Sequence, residues 1–269
     1  MSSNDPYQHQ NQEHPLTMKD VTPAPKVLGF MPIYYAGSYL KEALLSVRDH
    51  VDKMVVAYTR KPSQGFNVDV VCPDTEESIL FTCQEVLGEK LIWEPAMSYP
   101  SESHHREVRY KHAENYDLIL SVDTDEVMLG LEEALNYAAT STSRYYGIDG
   151  YVNFFRSHEW CCLDGFRPIR IENLHANNTG QDLNCKMRIL HFSLCQSEAI
   201  MRLKYKTFGH ASEIRPNYLE EIFYKWSPTN NIPDLHPVAL GLWNAIPYDK
   251  DAMPDYLKEH VNHNKEIIR

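Results

Sequence analysis

The chain is short of positive charge and of glycine and has no long apolar run, and each shortage removes a class of protein. Lys and Arg number 26 against 37 Asp and Glu, a net charge of −11. That balance opposes sequence-independent attraction to nucleic acid or to an anionic membrane face, so no nucleic-acid partner is expected. No apolar stretch approaches the ~20 residues that span a bilayer, and the N-terminus has neither the basic nor the apolar region of a secretory leader. The expectation is a cytoplasmic protein with no transmembrane segment. Six cysteines, at 72, 83, 161, 162, 185 and 195, form no C-x-x-C pair. The adjacent Cys161 and Cys162 suit neither a disulfide ladder nor a zinc clip, and free thiols are expected. With 11 glycines and 43% hydrophobic content in 269 residues, the chain can bury a core in one large α/β domain or two small ones.

Residues 1–25 are rich in Gln, Asn, His and Pro and nearly devoid of aliphatic side chains. Burial there cannot offset ordering entropy, which predicts a flexible polar tail. Beyond Pro25 the chain alternates between strand-like and helix-like stretches. VLGFM is short and apolar; SYLKEALLSVRDHV then sets Leu40, Ala43, Leu44 and Val47 at helical spacing behind a candidate Ser38 N-cap. KMVVAYT reads as a second strand and VDVVC as a possible third. TEESILFTCQEVLG reads as a helix with Ile79, Cys83, Val86 and Leu87 on one face. KLIWEP, a helical SESHHREVRYKHAENY and the strand LILSVD follow, and this βα alternation argues for a mostly parallel sheet. In such sheets ligands bind beyond the carboxyl ends of the strands.

The strand LILSVDTDEVML delivers Asp123, Asp125 and Glu126 to that edge. Side chains at i and i+2 of an extended segment point the same way, so Asp123 and Asp125 can share one hard cation through oxygen ligands. Without a cation they repel. The alternative is that Asp125 or Glu126 caps the helix LEEALNYAAT. Upstream, REVR places Arg106 and Arg109 on neighbouring positions of one helix face, where their guanidinium forks suit diphosphate oxygens or simply meet solvent. His104 and His105 read as surface residues. Tyr34 and Tyr58, at strand ends, either stack on a base or pack against neighbours. Asp69 and Asp74 contact a base or serve as turn residues. His191, after the strand-like CKMRIL, either faces the paired acids from the opposite wall or is a hydrogen-bonded core histidine.

PIYYAGSYLKEALLSV, Pro32 to Val47, resembles without gaps the first strand-turn-helix of glycosyltransferase family two, and DLILSVDTDE matches that superfamily's strand and metal motif at the usual distance. HFSLCQSEAIMRLKYKTFGHASE, His191 to Glu213, is similar to a stretch of glycosyltransferase family seventeen, the N-acetylglucosaminyltransferases that bisect N-glycans. Tyr35 and Ala36 depart from the usual Asn-Glu, and Ala57-Tyr58-Thr59 stands where family two often carries base-contacting Asp residues.

The resemblance implies an α/β GT-A (Rossmann-like) fold: a mostly parallel central sheet flanked by helices, with a mixed acceptor-side subregion, over residues 26–245, and a helical extension at 246–269. It implies a nucleoside diphosphate-sugar donor, UDP-sugar favoured, and transfer with inversion to a hydroxyl of a glycan, protein or small molecule. Mn2+ or Mg2+ would be held by Asp123 and Asp125 with His191 or His210. Pro32, Tyr34, Tyr58, Arg106, Arg109 and Asp123 line the donor side, and Asp164, Glu159 or Glu213 acts as base. Trp160 is a candidate to stack on a sugar ring. A nucleotidyltransferase is the rival enzyme, but FMPIYYAGSYL lacks a Gly/Arg/Lys-rich phosphate loop. A non-catalytic sugar- or nucleotide-binding module of the same fold is the other rival.

Overall fold

The computed structural model describes residues 24–62, 72–207 and 211–269. The N-terminal stretch, most of VDVVC with Asp69, and His210 lie outside the described residues. The elements run β1 (Val27–Ile33), α1 (Leu40–Val47), β2 (Lys53–Thr59), α2 (Glu76–Leu87), β3 (Leu91–Ala96), α3 (Glu102–Glu107), β4 (Leu118–Ser121), β5 (Glu126–Leu129) and α4 (Leu131–Thr140). Then come β6 (Ser143–Gly147), β7 (Gly150–Phe155), β8 (Trp160–Asp164), β9 (Ile169–Asn173), β10 (Asn178–Asp182), β11 (Arg188–Leu194), α5 (Glu198–Thr207), β12 (Ile246–Pro247) and α6 (Asp255–Lys258).

Seven strands form one sheet in the order β10-β6-β9-β4-β1-β2-β3. β1 runs parallel to both β2 and β4, and β2 runs parallel to β3; β9 lies antiparallel between β4 and β6. The sheet is therefore mostly parallel and flanked by helices, as the βα alternation predicts. β1 is buried on both faces because its neighbours cover both. Val27, Met31 and Ile33 join the core under α1 and α2, while Leu28 and Phe30 point to the opposite face with Val108 and Ala113. α1 buries Leu40, Ala43, Leu44 and Val47, each large side chain contributing roughly 1.5–3 kcal/mol of hydrophobic stabilisation.

Three local expectations change. Ser38 does not cap α1: Tyr39 holds that position without a side-chain bond, and Ser38 N–H donates to Gln196 Oε1 at 2.8 Å. The acids do not cap α4, which Gly130 precedes at φ 79°. His105 is buried, with Nε2 donating to the Ala57 carbonyl at 2.7 Å and the ring stacked on Tyr99 at 4.4 Å, because α3 lies over the end of β2.

The chain leaves the first sheet after Ser121 and enters a second, five-stranded sheet at Glu126, with strand order β12-β8-β7-β11-β5. Strand alternation gives this second sheet two unlike faces. One presents Val127, Phe154, Cys161, Leu190 and Phe192 to Tyr39 and the C-terminal residues Met253, Leu257 and Ile268. The other joins the first core through Met128 and Ile189 at one end. At its far end it packs Phe155, Cys162 and Leu194 against Met201 of α5 and Trp226. Between these two apolar ends lie Glu126, His191 and Asn153, which are register partners across three strands.

Residues 246–269 hold only a two-residue strand, a 3-10 turn and the short α6 in place of the expected helical extension. They are tied down by single bonds: Ile268 N–H to the Arg156 carbonyl at 2.7 Å, His260 Nε2 to the Ser38 carbonyl at 2.8 Å, and Asn262 Nδ2 to Tyr39 Oη at 3.3 Å. His158, His260 and His263 are all buried here, beside Lys250, Lys265 and Glu159. Burial, reinforced by the other two histidines, pushes His158 down to about 3; burial also lowers His260 and His263. The unfolded chain takes up these protons near the ordinary histidine value of 6.5, so stability falls as pH drops below it and the loss from His158 continues to about pH 3. Chemical denaturation should show a nearly constant unfolding free energy between about pH 7 and 8 and a steady decline between about pH 6.5 and 5, where carboxylates do not yet titrate. His158→Gln should flatten that decline; a flat wild-type profile over the same range contradicts the account.

Candidate functional site

β1 and β4 are neighbours from which the chain departs to opposite sides, so their carboxyl ends form a topological switch point, the place where parallel sheets hold ligands. The turn after β1 forms one wall. Asp74 accepts the backbone N–H groups of Ala36 and Gly37 at 2.8 and 3.0 Å. Gly37 has φ 64°, so the backbone favours glycine there, and a Cβ would also push aside the end of the Gln196 side chain 2.6 Å away. Asp74 thus fixes the turn as a backbone anchor.

The acids form the floor. Glu126 is fully buried and accepts from Tyr151 Oη at 3.1 Å, from the Asp123 backbone N–H at 3.2 Å and from Arg170 Nε at 2.8 Å, with Arg170 Nη2 on its second oxygen. The same Arg170 Nη2 reaches Asp123 Oδ2 at 3.1 Å, and Arg106 approaches Asp123 Oδ1 at 3.4 Å while holding Glu102 at 2.9 Å. Burial disfavours the charged form of Asp123, yet the Arg106 and Arg170 charges outweigh it and lower its pKa. Burial likewise opposes the Arg170 charge, and Glu126 with Asp123 overcomes it, so the guanidinium stays charged.

Asp125 faces the second sheet. Lys204 of α5 donates to its Oδ2 at 3.1 Å and also to Ser193 Oγ; His191 Nε2 lies 3.6 Å from its Oδ1. Against the cost of burial, the Lys204 and His191 charges hold the Asp125 carboxyl well below the usual carboxylate range. Half-buried Tyr35 belongs to the same group, its phenol pushed up to about 12 by burial despite the nearby Lys204 charge. The histidine tautomer follows from its neighbours. Asn153 turns its amide nitrogen to Asp164 Oδ2 at 3.5 Å and its amide oxygen to His191 Nδ1 at 2.6 Å. Nδ1 therefore carries a proton, and Nε2 faces the Asp125 carboxylate. Tyr151 stacks on the imidazole at 4.8 Å and fixes its plane.

The structure thus brings Asp123, Asp125, Arg106, His191 and Asp164 into one group. Arg109 turns away, donating to the Arg106 carbonyl at 2.9 Å and pairing with Glu172 at 3.7 Å. Glu159 pairs with Lys250 beside the C-terminal segment, Glu213 is exposed beyond α5, and Trp160 packs edge-on to Trp226 at 5.9 Å. Pro32 sits in β1 opposite Ala57, Tyr58 is buried with its ring stacked on Trp93 at 5.4 Å, and half-buried Tyr34 meets Tyr35 edge-on at 5.9 Å. Two central residues, Arg170 and Lys204, escape sequence reasoning. Lys204 carries a usable signal, four residues after buried Ile200 on a helix that also buries Met201, Leu203 and Thr207.

Among the described residues, no group of three or more His, Cys, Asp or Glu side chains is arranged to hold a metal ion. Asp125 Oδ1 and His191 Nε2 nevertheless fit two positions on one ion. Their 3.6 Å separation falls within the roughly 3–4.2 Å between ligand atoms at about 2.1 Å from a shared centre. The second Asp125 oxygen and both Asp123 oxygens are taken by basic side chains.

No known family model matches the sequence, and no curated protein matches it. Among solved structures, the S. aureus protein TarS, residues 1–349, is similar over 49% of this chain and 36% of its own, at 18% identity and a TM-score of 0.33. A structure of the same TarS region in complex with UDP-GlcNAc gives 18% identity and a TM-score of 0.32, with 49% and 35% of the two chains covered. Glucosyl-3-phosphoglycerate synthase from Mycobacterium tuberculosis, in complex with Mn2+, UDP and glucosyl-3-phosphoglycerate, matches 49% of this chain and 44% of its own at 12% identity and a TM-score of 0.31. The chain thus spans less than half the length of each.

The two arginines on Asp123 differ in burial, 10% exposed for Arg170 and 32% for Arg106, and this separates their roles. Arg170→Ala strands the buried Glu126 charge and should cost about 3–5 kcal/mol in urea unfolding. Arg106→Ala should cost under about 1 kcal/mol. Equal losses contradict the assignment.

Proposed function

We propose that the protein is a nucleotide-sugar glycosyltransferase that moves a sugar from a nucleoside diphosphate donor, UDP-sugar favoured, to an acceptor hydroxyl. The observation that carries this reading is the Asp125–His191 pair, a carboxylate oxygen and an oriented imidazole nitrogen 3.6 Å apart at the carboxyl edge of a parallel sheet, with Arg106 on the neighbouring Asp123. The donor diphosphate lies in the crevice between the turn after β1 and the acids, its oxygens meeting the Arg106 guanidinium. A bound Mn2+ or Mg2+, held by Asp125 and His191, would supply positive charge to the leaving diphosphate.

The chain's own residues supply the rest. Asp164, one amide away from His191, accepts the proton of the acceptor hydroxyl as its oxygen attacks the anomeric carbon. The bond from that carbon to the diphosphate oxygen breaks, and the charge developing there falls on Arg106. A base on the acceptor face and direct displacement give inversion. Asn153 holds Asp164 and His191 in fixed relation, and the Tyr151 ring keeps water from the inner side of the imidazole. The acceptor is a hydroxyl of a glycan, a protein or a small molecule.

Donor cleavage measured over a panel of UDP-, GDP- and dTDP-sugars with Mn2+ tests the reading. Turnover is expected with a UDP-sugar, and UDP binding without turnover of any donor would make the protein a binding module. Asp164→Asn should lower kcat by about 100-fold or more while leaving UDP affinity within about twofold. An unchanged kcat removes Asp164 from the mechanism.

A further inference from the structure

The acids and bases of the site are matched in number: Asp123, Asp125 and Glu126 face Arg106, Arg170 and Lys204. Two of the bases are fixed. Arg170 is a buried fork shared by two carboxylates, and Arg106 is braced by Glu102. Lys204 is different. Its ammonium ends a flexible four-carbon stem, rotates freely about that end, and reaches Asp125 from a helix belonging to neither sheet. It also donates to the hydroxyl of Ser193, which carries no charge to hold it.

The ammonium sits on Asp125 Oδ2, the companion of the oxygen that faces His191 Nε2. A divalent ion and Lys204 therefore compete for one carboxylate. Resting on the reading of Asp125 and His191 as an ion site, we infer that Lys204 is an exchangeable stand-in cation. It neutralises Asp125 while the site is empty, yields that carboxylate to the incoming ion, and then meets the diphosphate oxygens of the donor. Before any ligand arrives, Lys204 does for Asp125 what Arg106 and Arg170 do for Asp123 and Glu126, leaving no carboxylate unpaired at the buried edge. It also couples the two ligands: with Lys204 in place the ion gains little charge attraction, and the donor's negative charge both draws the ion and accepts the displaced ammonium.

The test uses Mn2+ alone, followed by calorimetry on the full chain without nucleotide. Lys204→Met should tighten Mn2+ binding at least tenfold over wild type, because the competitor is gone and the site gains a net negative charge, whereas Lys204→Arg should stay within about threefold of wild type. Adding UDP should tighten Mn2+ binding more in wild type than in Lys204→Met. Unchanged or weaker Mn2+ binding in Lys204→Met overturns the inference. Should that variant not fold, the wild type decides: acylation of the Lys204 amine, read by mass spectrometry, should rise at saturating Mn2+ and fall again when UDP is added. Labelling that ignores Mn2+ overturns the exchange. A protein that passes these tests but cleaves no nucleotide-sugar keeps the lysine exchange and loses the transferase reading. Turnover with unaltered Mn2+ affinity in Lys204→Met does the reverse.

Discussion

Arg170 ties the two sheets together at the point where the chain passes from one to the other. It extends from β9 of the first sheet and grips Glu126 at the start of β5 in the second, with Asp123 on the same fork. Placing a guanidinium and a carboxylate out of water costs several kcal/mol per ion, and only full hydrogen bonding offsets it. Here Tyr151 and the Asp123 backbone satisfy what Arg170 leaves of Glu126. The yield of this arrangement is geometry more than net stability. With Asp123 and Glu126 both held, Thr124 and Asp125 between them have little freedom, and Asp125 is turned toward His191.

The position of the polar strip follows from how the cores divide. One face of the second sheet continues the first core at one end and begins a separate core under α5 at the other. Where the two part, strand alternation brings Glu126, His191 and Asn153 side by side, and polar groups are tolerated because each finds a partner. The back of the same strands is apolar and carries Phe154 and Phe192, stacked at 4.7 Å. A shift of one residue in register would exchange the two faces and bury the site against the C-terminal segment. Function and folding thus draw on the same alternation.

Much of this was legible in advance, for identifiable reasons. Short apolar runs followed by helical spacing reveal βα units, and the burial of Leu40, Ala43, Leu44 and Val47 matches their spacing. Acids at the end of a buried strand stand out against their surroundings, which makes Asp123 and Asp125 visible. Arg170 does not stand out, because R-I-E within an alternating strand looks like a solvated face until a second sheet covers it. Which of Glu159, Asp164 and Glu213 adjoins His191 depends on pairing between β7 and β8, a long-range fact that local spacing does not contain. The strand beginning at Glu126 was hidden for the same reason: EVML is too short to signal a change of sheet.

The central claim is that Asp125 and His191 form one half of a nucleoside-diphosphate site. Crystals grown with UDP and Mn2+, with data collected at the manganese absorption edge, address it directly. The account predicts an anomalous peak about 2.1 Å from both Asp125 Oδ1 and His191 Nε2, with diphosphate density between it and Arg106. Manganese bound elsewhere, or UDP bound away from the carboxyl ends of β1 and β4, would contradict it.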